Sequence, residues 1–175
     1  APLIQAIKYP NISFRYLNGE FQQQNKDIAL TAIDTLRKLH PIKISKNQIK
    51  NGLKKTKWPG RMEFLSQNVL IDAAHNAGGF EMLKRELTVL KKKRKFNNLI
   101  FVIGIQTTKD AGEMLKTIST LAGKIIFTKS HHGAASEPEN LMDIFNQINK
   151  NNKIQSIIIK NPRKASAYAK KIAGK

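Results

Sequence analysis

The 175 residues contain no cysteine, which excludes disulfides and thiolate metal sites and leads to the expectation of a reducing, cytoplasmic compartment. Long apolar runs are missing too. The longest, Leu99 to Ile103, falls far short of the roughly 20 residues that a membrane-spanning helix needs, and the N-terminus has no charged-then-apolar leader pattern. No membrane partner is expected. A G-x-x-x-x-G-K-[ST] loop is absent, so the chain cannot by itself cradle nucleotide phosphates in the usual way. Neither a Ser/His/Asp set nor a carboxylate pair suited to hydrolysis stands out. Acidic residues are scarce: 12 Asp and Glu against 31 Lys and Arg leave a formal charge of +19. Such a surplus attracts polyanions, whether nucleic acid, nucleotide or polycarboxylate. Nearly all of it is lysine spread along the chain, with abundant asparagine and isoleucine, a bias that an AT-rich genome also produces. A solvated lysine surface is the plainer reading, and nucleic acid is disfavoured as a partner.

What the chain does have is alternation. Val69 to Ile71, Leu99 to Ile103, Lys124 to Phe127 and Ser156 to Ile159 are β-rich, and each is followed by a turn signal and an amphipathic stretch. The pattern predicts an α/β fold: a mostly parallel, Rossmann-like sheet with helices on both faces. Phe80, Met82, Leu83, Leu87 and Leu90 are spaced for one face of the first of these helices. Asp110 is expected to cap the next, with Met114, Leu115, Ile118 and Leu121 inward. Ser136 and Glu139 read as a capping box for a helix carrying Leu141, Met142, Ile144, Phe145 and Ile148, and Asn161 with Pro162 opens the last helix.

Residues 1–57 read differently. A strand is expected over Ile12 to Leu17, a long helix over 19–39 with Ile28, Ala29, Ala32, Ile33 and Leu36 on one side, and a second helix over Ser45 to Lys54. One strand and two helices cannot close a core by themselves. Residues 1–57 are therefore read as the end of a preceding domain and 58–175 as a nearly complete following one.

Several short stretches carry chemistry, each with a bland alternative. In "VLIDAAHNAGG" the run Val69 to Ile71 ends at Asp72, so Asp72, His75 and Asn76 are expected at the carboxyl end of a parallel strand, where open α/β sheets bind ligands. Asn76 as a helix cap, followed by Gly78 and Gly79, would suit an anion; equally, Asp72 and Asn76 satisfy loop hydrogen bonds while His75 packs on the sheet edge. "WPGR" at 58–61 reads as a type II turn with Trp58 covering a core edge, or as a turn that holds Arg61 toward a phosphate. "LNGEFQQQN" at 17–25 is solvated helix surface, or a set of amides reading a nucleobase edge. Gly104, Lys109 and Asp110 form another strand-end loop, with helix capping as its alternative. His131-His132 reads as a loop rather than a metal pair, for want of a third ligand, and "KKKRK" at 91–95 as a solvated helix end.

In this order and spacing, "LNGEFQQQN", "WPGRME" and "LIDAAHN" resemble the folylpolyglutamate synthase/dihydrofolate synthase branch of the Mur ligase family. The likeness runs over almost the whole chain: G-x-x-Q-x-x-N at Gly19, Gln22 and Asn25, W-P-G-R at 58–61, D-x-A-H-N at 72–76, and the loop with Gly104, Lys109 and Asp110. Ala73 stands where the family usually has glycine, a mild change only if its φ is negative, and Phe21 where histidine is common. The resemblance implies that residues 1–57 end a central ATP-binding domain and 58–175 are the glutamate ligase domain. It also implies a reaction in which ATP and Mg²⁺ convert the carboxylate of dihydropteroate or a reduced folate into an acyl phosphate, which L-glutamate then attacks. By that similarity Arg61 contacts the ATP phosphates, Asn25 reads adenine, Asp72 holds the nucleotide from across the cleft, and His75 lies near the nucleotide or the incoming glutamate. Metal ligands and the phosphate loop are expected upstream of Ala1, none in this chain, which alone is expected to be inactive. A cytoplasmic monomer is expected. The alternatives are another Mur-type amino-acid ligase, or a non-catalytic basic module binding anions or nucleic acid on the same fold.

Overall fold

The computed structural model describes residues 3–96, 98–151 and 153–173. The chain forms two compact units that divide between Ala73 and Ala74. No helix among the described residues is long and apolar enough to cross a membrane.

The first unit holds α1 (Phe21–Leu39), α2 (Lys46–Lys55), β1 (Glu63–Ser66) and β2 (Val69–Ile71). α2 opens on a capping box, in which Ser45 accepts the N–H of Gln48 and the Gln48 side chain accepts that of Ser45. The expected strand over Ile12 to Leu17 does not form among these residues. The segment before α1 bonds instead to side chains of that helix: Ile7 N–H donates to Thr31 Oγ1 at 2.8 Å, Tyr9 N–H to Asp27 Oδ1 at 3.0 Å and Ile12 N–H to Gln23 Oε1 at 3.1 Å. Gln23 Nε2 returns a bond to Ile12 O at 2.6 Å, so no ladder partner is needed. This arrangement buries the polar side of α1, with Gln22, Lys26 and Thr31 inside. The side chain of Lys26 is wholly buried, and its Nζ meets Tyr9 O at 3.0 Å, Pro10 O at 2.7 Å and Asp27 Oδ1 at 3.1 Å. Ile33 is half-buried, whereas Ile28, Ala29, Ala32 and Leu36 face solvent, with Ile28 58% exposed.

Val69 to Ile71 also departs from expectation. It pairs antiparallel with β1, Glu63 opposite Ile71 and Phe64 opposite Leu70, in a hairpin rather than in the parallel sheet. Asp72 thus ends a hairpin strand. The two-residue connection, Gln67-Asn68, lacks the glycine that marks most such turns in a sequence.

The second unit runs α3 (Ala77–Arg94), β3 (Leu99–Ile103), α4 (Ala111–Ser119), β4 (Ala122–Phe127), α5 (Pro138–Ile148), β5 (Gln155–Ile158), α6 (Pro162–Ala173). The three strands form a parallel sheet in the order β3-β4-β5. Central β4 has Ile125, Ile126 and Phe127 all fully buried, so both of its faces are covered. Ile125 and Phe127 join Met114, Leu115 and Ile118 of α4 and Leu141 and Phe145 of α5 in one core cluster. Ile126 alternates to the other face, and α6 packs against β3 and β4. Helices therefore cover both faces, as the alternation predicts.

Three caps form as expected: Asn76 Oδ1 accepts Gly79 N–H at 2.8 Å, Asp110 Oδ1 accepts Glu113 N–H at 2.9 Å and Asn161 Oδ1 accepts Lys164 N–H at 3.0 Å. The Ser136 capping box does not form. Glu137 occupies the N-cap with Pro138 in the first turn, while Ser136 is buried and donates its N–H to Ile105 O at 2.8 Å. Met82, two residues and so about 200° round the helix from buried Phe80, is exposed rather than part of the inner face. Leu121 falls in the turn after α4 and is half-buried.

Candidate functional site

The residues Trp58 to Arg61 make a sharp turn in which Gly60 has φ +71°, the region that the second central residue of a type II turn requires. Trp58 is 67% exposed and covers no core edge. Immediately after Arg61, Met62 has φ +46°, a left-handed conformation that costs a non-glycine residue about 1 kcal/mol. Met62 is held there from three directions. Its side chain is buried, its N–H donates to Asp72 Oδ2 at 2.9 Å, and its carbonyl accepts from Asn18 Nδ2 at 2.9 Å. Gly60 is tied in the same way: its N–H donates to Glu63 Oε2 at 2.9 Å and its carbonyl accepts Ala73 N–H at 2.7 Å. Arg61 stands between these two anchored residues with its side chain exposed. A guanidinium so presented can meet a phosphate with two parallel hydrogen bonds.

Asp72 is half-buried and spends one carboxylate oxygen on the Met62 N–H. Ala73 is not among the residues with positive φ, so an alanine here meets no backbone penalty. Asn25 is exposed in the second turn of α1, and its Nδ2 donates to Gln22 Oε1 at 2.9 Å. Of the polar run 17–25, Gln22 and Gln23 are structural, while Gln24 and Asn25 face water. The first unit thus contains Asn25, Arg61 and Asp72, with the last two joined through Met62. His75 belongs to the second unit, where it is exposed immediately before the capping Asn76. Nothing in the sequence pattern flags Asn18 or Met62, since neither asparagine before a glycine nor methionine signals a left-handed partner.

Other candidates resolve into structure. Asp110 caps α4, and Gly104 lies so close to the next strand that a Cβ would sit 3.0 Å from Thr128 O. His131 and His132 are exposed, and His132 Nδ1 accepts Ala134 N–H at 3.1 Å. Among the described residues no group of three or more His, Cys, Asp or Glu could hold a metal ion. "KKKRK" occupies the exposed last turn of α3, ending in left-handed Lys95. A cleft of about 440 Å³ lies beyond the ends of β4 and β5, lined by Lys129, Ser130, His131, His132, Lys160 and Asn161. Its lysines are paired, Lys129 with Glu137 and Lys160 with Glu139 at 2.7 Å; the Lys160 hydrogen bond holds the Glu139 carboxyl below its ordinary value.

Residues 60–175 match the family model described as Mur ligase, glutamate ligase domain. The chain belongs to the Mur ligase family. Within that family, the dihydrofolate synthase/folylpolyglutamate synthase of Bacillus subtilis (strain 168) is 31% identical over 131 residues, covering 73% of this chain and 29% of that protein. Among solved structures, folylpolyglutamate synthase of Mycobacterium tuberculosis complexed with ADP and AMPPCP matches with a TM-score of 0.76 at 22% identity, over 90% of this chain and 34% of that one. Folylpolyglutamate synthase of Thermotoga maritima matches with a TM-score of 0.68 at 27% identity, over 86% and 34%. This Mur ligase chain therefore spans about a third of the length of each of these three proteins.

Proposed function

We propose that the protein is an ATP-dependent ligase that joins L-glutamate to dihydropteroate or a reduced folate, with residues 1–57 ending its ATP-binding domain and 58–175 forming its glutamate ligase domain. The observation that carries this reading is the anchored turn around Arg61, an exposed guanidinium between two backbone-tied residues. In the reaction, the acceptor carboxylate takes the γ-phosphoryl group of ATP, giving ADP and an acyl phosphate; the glutamate amine attacks that carbonyl, and phosphate leaves as the amide forms. Negative charge spreads over the transferring phosphoryl oxygens, and fixed cations lower the barrier. Arg61 supplies such a cation. Asn25 offers an amide to the adenine edge, and Asp72 binds the nucleotide while its other task is to hold Met62. His75 serves the nucleotide or the incoming glutamate. Mg²⁺, which accompanies ATP in phosphoryl transfer, neutralises phosphate charge when bound; no metal ligand is assigned to this chain. The chain alone, without a phosphate loop, is expected to be inactive, and the working protein is a cytoplasmic monomer.

The test is ADP release by the intact protein supplied with glutamate and, in separate reactions, dihydropteroate, tetrahydrofolate or cell-wall precursors. Turnover with a pteridine acceptor is expected, and Arg61→Ala should lower kcat/KM for ATP by on the order of a hundredfold. Turnover only with cell-wall precursors makes it another Mur-type amino-acid ligase. The net charge of +19 favours one competing reading, a non-catalytic polyanion-binding module. That reading requires tight binding to random DNA or RNA that persists at about 0.15 M salt.

A further inference from the structure

We propose that Asn18 is a positioning residue for Arg61, a role that rests on the phosphate-facing reading of Arg61 given above. The direction in which Arg61 leaves the turn is set by the backbone on either side of it. On one side Gly60 is clamped by Glu63 and Ala73; on the other, Met62 is left-handed at φ +46°. Both polar backbone atoms of Met62 are taken by side chains, its N–H by Asp72 and its carbonyl by Asn18, which comes from 44 residues away at the loop before α1. Asp72 alone fixes one end of the residue. The Met62 carbonyl belongs to the peptide after Met62, and reaching the more favourable right-handed region requires that peptide to rotate together with the one between Arg61 and Met62, a paired flip that would swing Arg61. Asn18 blocks that flip, because its amide N–H is spent on the carbonyl at 2.9 Å. Its neighbour Gly19, at φ +101°, turns the chain directly into α1, so that Asn18 is presented from the start of a helix rather than from a free loop.

The variants are Asn18→Asp, which keeps the shape but loses the donor, and Asn18→His, whose Nδ1 offers a donor at the same distance from the backbone. Both are assayed in the intact protein, together with Arg61→Ala and the double variant Asn18→Asp/Arg61→Ala. Asn18→Asp should lower kcat/KM for ATP by roughly ten- to a hundredfold, with KM for the pteridine unchanged. Asn18→His should recover most of that loss, and the double variant should be no worse than Arg61→Ala, because both changes remove one effect. A silent Asn18→Asp beside a costly Arg61→Ala overturns the inference and leaves the ligase reading standing. Losses that add in the double variant, or that Asn18→His fails to recover, also overturn it, since they mark a merely structural role. A silent Arg61→Ala overturns the ligase reading of Arg61 itself, and the role of Asn18 falls with it.

Discussion

The Asp72 carboxylate meets the Met62 backbone N–H at 2.9 Å, joining the end of β2 to the left-handed residue that follows Arg61. The bond spans ten residues and closes the base of the β1–β2 hairpin. Replacing Asp72 with alanine leaves the N–H of a buried residue without its acceptor and should cost about 1–3 kcal/mol. Asp72→Asn keeps an acceptor oxygen at the same position and should lose less than half as much. Urea unfolding midpoints of the two variants check the order; equal losses would mean that the carboxylate charge, not the hydrogen bond, is what matters.

Lys26 ties the segment around Tyr9 and Pro10 to α1 with a fully buried ammonium. Lys26→Met fits the apolar stem but leaves two carbonyls and Asp27 without their cation, and it should destabilise the first unit by about 3 kcal/mol. Limited proteolysis would register this as faster cutting within residues 3–12. Unchanged cutting there would show that Gln23 and Thr31 hold the segment without help.

Acid should loosen the same attachment. Asp27 accepts the Tyr9 N–H and pairs with Lys26, and these interactions hold its carboxyl below its ordinary value. A depressed pKa means that the stabilisation is fully present above the unfolded value, about pH 3.9, and is lost as pH falls through the lower folded value. Tyr9 works in the opposite direction. Its hydroxyl donates to Asp34 at 2.6 Å and its pKa is raised, so its contribution is present below about pH 10 and is lost as pH climbs through the raised folded value. Amide exchange at Ile7 and Tyr9 should therefore speed up at both extremes relative to the amides of α1, and Asp27→Asn should remove the acid limb alone.

Gly104 sits where β3 hands over to its loop, against the Thr128 carbonyl. Gly104→Ala forces two strand ends apart by a few tenths of an ångström, and the expected cost is about 1–2 kcal/mol. Thermal unfolding of the second unit checks it, with Gly133→Ala, where a Cβ meets nothing within 4 Å, as the neutral comparison.

How much of this was legible in the sequence depended on how local the deciding interaction is. The second unit announces itself: Asn76, Asp110 and Asn161 cap helices within three residues of themselves, and the three consecutive apolar residues Ile125 to Phe127 of β4 mark a strand covered on both faces. Hydrophobicity was a poor guide to α1, because the partner it keeps in its own unit is an extended segment that asks for hydrogen bonds, and polar Gln22, Lys26 and Thr31 answer. The β1–β2 pair was hidden behind a turn with no glycine. At the candidate site, Pro59-Gly60 announced the turn, but left-handed Met62 is held by Asp72 ten residues on and by Asn18 from 44 residues away. No short-range pattern encodes that.

The outward stripe of α1, with Ile28 at 58% and Leu39 at 69% exposure, has a consequence inside a cell. Contiguous apolar surface of this kind is what chaperones and quality-control proteases recognise as unfinished folding. Apolar side chains left open along α1 therefore favour capture by such factors, whatever the strength of the contacts made within the chain.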